Sequence, residues 1–345
     1  MSIKIKPYKI QDLLFSCLRS KIAYEKPINI KNIFKKNGIK HYNILNCDLV
    51  KCNFNLQKKI EHIVDNIVDD MHSEPIFYDG RNNQNNKRDS QAYMIWKSNT
   101  IYITYEGTNS LYEALDAADI REKKIKDNII VHNGFAEQFF SIEPYLTNDI
   151  INIMNSYPIE RIIFTGHSKG GSVAAISSAY FAEKFNNLFI TCHMFGSPII
   201  GNIDFVKWFI SRLDEYSRIE IEDDIVPLIK YNNSFKHIPN GILLKRDGSV
   251  ERNYTGKPLN YPNILKKLNN FDNIILTHSC ENFIDKLFSL ENVKNIYKQN
   301  IKINNINDII IPDINENIKN LSNEKINILN NNKININTQD FHNNI

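Results

Sequence analysis

The chain has 345 residues, enough for one large α/β domain. Its 42% hydrophobic and 11% aromatic residues exclude a wholly disordered polymer. A net charge of +3, with both signs mixed along the chain, excludes a dedicated nucleic-acid binder, which needs a strongly basic face.

The N-terminus, Met1 to Pro7, lacks the apolar segment of a secretory signal. No run of roughly 18 apolar residues occurs, so no transmembrane segment is expected. Together these give a cytoplasmic or particle-associated protein as the expectation. The cysteines Cys17, Cys47, Cys52, Cys192 and Cys280 are odd in number and widely spaced, unlike a disulfide framework or a zinc site. They read as free thiols of a reducing compartment.

A helix is predicted over 8–24, with Leu13, Leu14, Cys17 and Leu18 on one side. A second is predicted over 55–72, where Leu56, Ile60, Ile63, Ile67 and Met71 recur at helical spacing. A polar loop follows over 79–90, then two strand-like runs, 92–96 and 100–105, joined as a hairpin through Lys97-Ser98-Asn99. After a helix over 134–156 the pattern alternates: strand 161–165, helix 170–185, strand 188–195, helix 202–213, strand 217–221. Such alternation predicts crossover units and a mostly parallel central sheet with helices on both faces. From about 296 the composition collapses to Asn, Ile and Lys. The reading is one domain over 1–295 and a low-complexity tail over 296–345, partly disordered.

The strand 161–165 runs directly into Gly166-His167-Ser168-Lys169-Gly170-Gly171, and a small-residue helix follows. This is G-x-S-x-G in the strand–turn–helix context that a nucleophile elbow requires. Gly166 and Gly170 remove side chains that would clash in a strained turn, which lifts the Ser168 hydroxyl above the sheet edge. The helix N-terminus aims positive charge at the same place.

A serine hydroxyl needs a base, and the base needs an orienting acid, in the chain order Ser, acid, His for this fold. The later histidines are His193, His237, His278 and His342. His193 falls inside a strand and His342 in the biased tail, leaving His237 and His278. The acids cluster as Glu220, Glu222, Asp223 and Asp224 at the end of a strand, where α/β sheets carry their sites.

Over roughly 10–295 the chain resembles the class 3, fungal-lipase-like lipases of the α/β-hydrolase superfamily. The elbow Gly166–Gly171 matches that family's G-H-S-x-G-G, and 194–202 is similar to its T-F-G-x-P-x-x-G-N segment. Asp224-Ile225-Val226-Pro227 matches D-x-V-P, Val131–Phe135 matches V-H-x-G-F, and Glu106-Gly107-Thr108 stands where the family has R-G-T. The resemblance implies an α/β-hydrolase fold with Ser168 as nucleophile, His278 as base and Asp224 as its acid. It also implies an oxyanion hole from Thr108 and the Lys169 N–H, and a lipid ester substrate met at a membrane or lipid interface. That chemistry needs no cofactor and no metal, and neither a metal cluster nor a nucleotide fingerprint is present.

The departures are specific. Glu106 replaces an arginine, Glu113-Ala114 stands where an aspartate–tryptophan pair is common, and Phe283 lies five residues after His278 rather than three. His132 and His167 read as packing and hydrogen-bonding residues, and 110–119 reads equally as a lid helix or a plain surface helix. The expected activity is hydrolysis of acylglycerols or phospholipids. The alternatives are a thioesterase or other triad hydrolase, and a catalytically silent lipase-like binding protein. Nothing in the sequence specifies an oligomeric state.

Overall fold

The computed structural model describes residues 10–34, 74–79, 91–108, 121–256, 259–260 and 276–300. The helix expected over 55–72, the loop after Asp79, the segment 110–119, His342 and the tail beyond 300 lie outside the described residues. Tyr8–Lys294 form the compact body.

Among the described residues, eight strands make the main sheet, in the order β1 (Ile76–Asp79), β2 (Gln91–Lys97), β3 (Thr100–Tyr105), β6 (Arg161–His167), β7 (Phe189–Phe195), β9 (Glu215–Ile221), β12 (Gly241–Leu244) and β13 (Val250–Tyr254). Four of the strands outside that order, β4 (Glu122–Lys126), β5 (Ile129–His132), β8 (Gly201–Asn202) and β11 (Phe235–Lys236), form a small second sheet. The two-residue strands β10 (Ile229–Lys230) and β14 (Leu259–Asn260) pair with each other. From β3 to β12 the main sheet is parallel, and its two edges turn antiparallel. This is the α/β-hydrolase architecture.

Helices cover both faces. The helices α3 (Asn133–Ser156), α4 (Lys169–Lys184) and α5 (Ile203–Arg212) pack on one face, against Met94, Ile103, Phe164 and Met194 among others. On the other face, α1 (Ile10–Ile22) and α6 (Cys280–Asn300) pack against Tyr93, Ile95, Phe195 and Ile219. A short helix, α2 (Pro27–Phe34), follows α1. Alternation along β2 serves both layers: Ala92 and Met94 enter one core, Tyr93 and Ile95 the other. Phe283, Ile284 and Leu287 of α6 are essentially fully buried. At about 1.5–3 kcal/mol per buried large apolar side chain, they dock the segment that begins at His278.

Caps fix the helices that frame the site. His132 Nδ1 accepts from Gly134 N at 3.1 Å and opens α3. Asn202 Oδ1 accepts from Phe205 N at 2.9 Å to open α5. The Asn202 side chain also bonds Ile130 N and Asn128 O, so one residue ties helix to hairpin.

One feature differs from the sequence reading: Lys97 pairs with Thr100, so the β2–β3 turn is Ser98-Asn99 alone, with Ser98 at φ 54°. His237 follows directly on β11. Helix α6 runs to Asn300. Among the described residues, no helix is long and apolar enough to cross a membrane.

Candidate active site

Ser168 sits between the last residue of β6 and the first of α4, at φ 56° and ψ −130°. A serine rarely adopts that backbone, and the surroundings enforce it. Ser168 N donates to Phe195 O at 2.8 Å, which ties the elbow to β7. A Cβ on Gly166 would run into the Gly170 backbone, and a Cβ on Gly170 into Tyr105 O and the Glu106 backbone. The elbow is therefore closed by backbone-on-backbone contact that glycine alone permits. Ser172 Oγ donates to Pro198 O at 3.3 Å and Gly171 packs on Ser197, so the start of α4 is seated on the segment after β7.

The acid lies just beyond the parallel neighbour of β7. Strand β9 ends at Ile221, Asp223 takes φ 72°, and Asp224 turns back to donate its N–H to Ile221 O at 3.1 Å. Its side chain is fully buried. Oδ1 accepts from Val226 N at 3.0 Å, and Oδ2 lies 2.8 Å from His278 Nδ1. An ionised carboxylate only accepts, so Nδ1 carries the proton and Nε2 presents a lone pair. That Nε2 is buried and has no hydrogen-bond partner among the described residues.

Gly196, at φ +58°, lies against this pair. A Cβ there would stand 2.9 Å from His278 Cε1 and 3.1 Å from Asp224 Oδ2. The glycine of the T-F-G-x-P-like segment thus leaves room for the Asp–His contact itself.

The other histidines are occupied elsewhere. His237 Nε2 donates to Pro227 O at 2.5 Å and lies 3.7 Å from Glu220, which is paired with Arg218. Burial, then the Arg218 charge, holds its pKa well below the ordinary histidine value. His193 bonds Ser16 Oγ at 2.7 Å beneath α1, and burial, with Arg161 and Arg19 adding to it, lowers its pKa to about 3. His132 stacks on Phe135 and meets Tyr231 at a tilt. Asp223, in contrast to its neighbour, is exposed and ion-paired to Arg246 at 2.5 Å.

Thr108 is partly exposed and follows Gly107, where a Cβ would meet the Tyr24 hydroxyl and His167 O. The strand end that carries Thr108 is thereby pressed onto the elbow. Lys169 opens α4, whose positive end faces the same corner. Glu106 is buried at the end of β3 and adds negative potential beside Tyr24. Sequence reading missed Tyr24 altogether. Its hydroxyl lies 2.8 Å from His167 Nδ1, and nothing in the local pattern of α1 marks it.

Residues 102–234 match the lipase (class 3) family. That stretch of the chain is therefore similar to the class 3 lipases. The matched stretch holds Ser168 and Asp224 and stops short of His278. A lipase of Rhizomucor miehei is 27% identical over 137 residues, 37% of this chain and 37% of the relative. A phospholipase A1-II 1 of Oryza sativa subsp. indica is 28% identical over 151 residues, 37% of this chain and 38% of the relative. The match thus spans little more than a third of these curated relatives. Solved structures extend the likeness in fold. The Rhizomucor miehei triacylglyceride lipase aligns with a TM-score of 0.54 at 18% identity, over 78% of this chain and 92% of that one. Lipase II of Rhizopus niveus gives 0.54 at 19%, over the same shares. The family match includes the elbow and Asp224, and the likeness in fold extends over more of the chain.

Proposed function

We propose that this chain is a class 3 lipase-like serine carboxylic-ester hydrolase acting on lipid esters, acylglycerols or phospholipids, through an acyl-enzyme formed on Ser168. The observation that carries the reading is the buried Asp224–His278 pair, whose Nε2 lone pair has no hydrogen-bond partner among the described residues, in a chain that holds Ser168 in a strained elbow. Names of relatives support the substrate class: a lipase, a phospholipase A1, and a secreted mono- and diacylglycerol lipase of Fusarium solani.

In this mechanism His278 Nε2 takes the Ser168 proton as Oγ attacks the ester carbonyl. Asp224 stabilises the imidazolium that forms. Thr108 and the Lys169 N–H receive the oxyanion, each donor contributing about 3–4 kcal/mol in comparable sites. The protonated imidazole then hands its proton to the leaving alcohol. Water, activated by the same nitrogen, releases the fatty acid. The substrate is met at a lipid interface.

The test is turnover of p-nitrophenyl esters of graded chain length, emulsified acylglycerols, phosphatidylcholine and an acyl thioester, by wild type and Ser168→Ala. Ester hydrolysis that rises with chain length and falls more than about a hundredfold in Ser168→Ala is the expected result, given triad losses near ~10⁶-fold. Preference for the thioester, or no turnover of any substrate by a folded protein, overturns it in favour of a thioesterase or a silent binding protein.

A further inference from the structure

His167 reaches the base of the proposed triad through its backbone rather than its ring. Its Nε2 lies 2.6 Å from His278 O, and its Nδ1 lies 2.8 Å from Tyr24 Oη. A carbonyl can only accept, so Nε2 carries the proton; Nδ1 is then the acceptor and the Tyr24 hydroxyl donates. Both contacts select the same tautomer, and neither is served by the other one.

We infer that His167 is a positioning residue: anchored by Tyr24, it grips the His278 carbonyl and thereby sets the height of the base above the elbow. His167 is the covalent neighbour of Ser168, so one side chain refers the base directly to the nucleophile. The two imidazoles lie close, tilted by 35° with centroids 4.5 Å apart, and Phe283 packs against His167 with its ring centroid at 5.7 Å. The grip complements the carboxylate. Asp224 fixes the ring of His278 at Nδ1, while His167 fixes its peptide carbonyl.

The surroundings keep the relay in one protonation state. Burial, then the neighbouring His278, holds the His167 pKa well below the ordinary value, with Lys21 pushing the same way. Lys21 itself is paired to Glu281 at 2.5 Å. Burial, then Cys280 and Glu106, raises the Tyr24 pKa well above the ordinary phenol, so it stays a donor. The acidic Glu106, standing where the resemblance would put arginine, serves this end.

The inference rests on His278 being the base, and the test separates the two. Gln places an amide N–H where imidazole has Nε2, whereas Asn reaches only the Nδ1 position. His167→Gln therefore keeps the His278 carbonyl bond, and His167→Asn keeps the Tyr24 contact alone. With a short soluble p-nitrophenyl ester, His167→Asn is expected to lose about 10–100-fold in kcat with KM within about twofold, since small misplacements of a catalytic group cost this much. His167→Gln is expected to recover to within about fivefold of wild type, and Tyr24→Phe to fall between the two variants. Equal kcat in folded His167→Gln and His167→Asn overturns the inference, as does a loss confined to KM. His278→Ala is the control: if it retains activity, the triad reading fails; if it is inactive while Gln and Asn are equal, the grip alone fails.

Discussion

Strand β6, the elbow and helix α4 hold Ser168 with residues contiguous from 161 to 184, whereas Asp224 and His278 are 54 residues apart and meet over a glycine from a third segment. The elbow is closed by backbone contacts between Gly166 and Gly170, residues four apart in the chain, and is seated on the ends of β3 and β7. The acid–base side has no such local device. It depends on β9 lying in register beside β7, on α6 docking over Phe195 and Ile219, and on Tyr24 arriving from the end of α1. One half of the site is a local conformation and the other is a tertiary coincidence held by packing.

The largest expected effect breaks the tertiary half by removing one charge. Asp224→Asn keeps an acceptor for Val226 N but turns an amide toward His278, which favours the wrong tautomer. We expect kcat/KM on a p-nitrophenyl ester to fall roughly ~10⁴-fold while the thermal melt stays close to wild type. A loss under tenfold would take Asp224 out of the mechanism.

This asymmetry explains what was legible in the sequence. The elbow was readable because strand, glycines and helix are adjacent and each glycine has a steric reason. Helix α1 was readable from its apolar side, β6 as a short apolar run, and α4, α5, β7 and β9 from the alternation of strand-like and helix-like lengths. The β4–β5 hairpin was not, because Glu122-Lys123-Lys124-Ile125-Lys126 carries one apolar residue among four charges and forms the edge of the small sheet. Strand β13, Val-Glu-Arg-Asn-Tyr, hides for the same reason at the edge of the large one. Edge strands lean on backbone pairing and are commonly charged, which erases the alternation a reader looks for. For the base, chain order left His237 and His278 open, and only the family resemblance separated them. In the fold His237 bonds the Pro227 carbonyl, supporting the loop that begins at Asp224.

The second effect strikes the local half and is one of stability. Gly166→Ala puts a methyl into the Gly170 carbonyl and the Gly171 nitrogen, atoms of a helix start that cannot move without leaving Ser197. Overpacking against side chains costs about 1–3 kcal/mol, and rigid backbone sets this case at the upper end or beyond. We expect insoluble protein, or a melting temperature lower by about 6–12 °C at roughly 2–4 °C per kcal/mol. If Gly166→Ala melts as wild type, the elbow is less tightly closed than its backbone contacts indicate, and the contrast with the acid–base half weakens.

The smallest expected effect sharpens the contrast most, because it concerns the residue beside Asp224. Asp223 is exposed, pairs with Arg246 on the surface, and has no contact with the histidine. An exposed ion pair is worth about 0–1 kcal/mol, and salt screens it further. The choice of replacement matters, since Asp223 sits at φ 72°, a conformation that Asn tolerates and Ala does not. Asp223→Asn therefore removes the charge while keeping the turn that delivers Asp224. We expect kcat/KM within about twofold of wild type and a stability change below about 1 kcal/mol, shrinking as salt is raised. Two acids one residue apart would then differ by roughly ~10⁴ in their effect on turnover, a ratio set by burial and by the bond to His278. A large loss in Asp223→Asn that salt does not alter would mean that the turn, rather than the Asp224 carboxylate alone, positions the base.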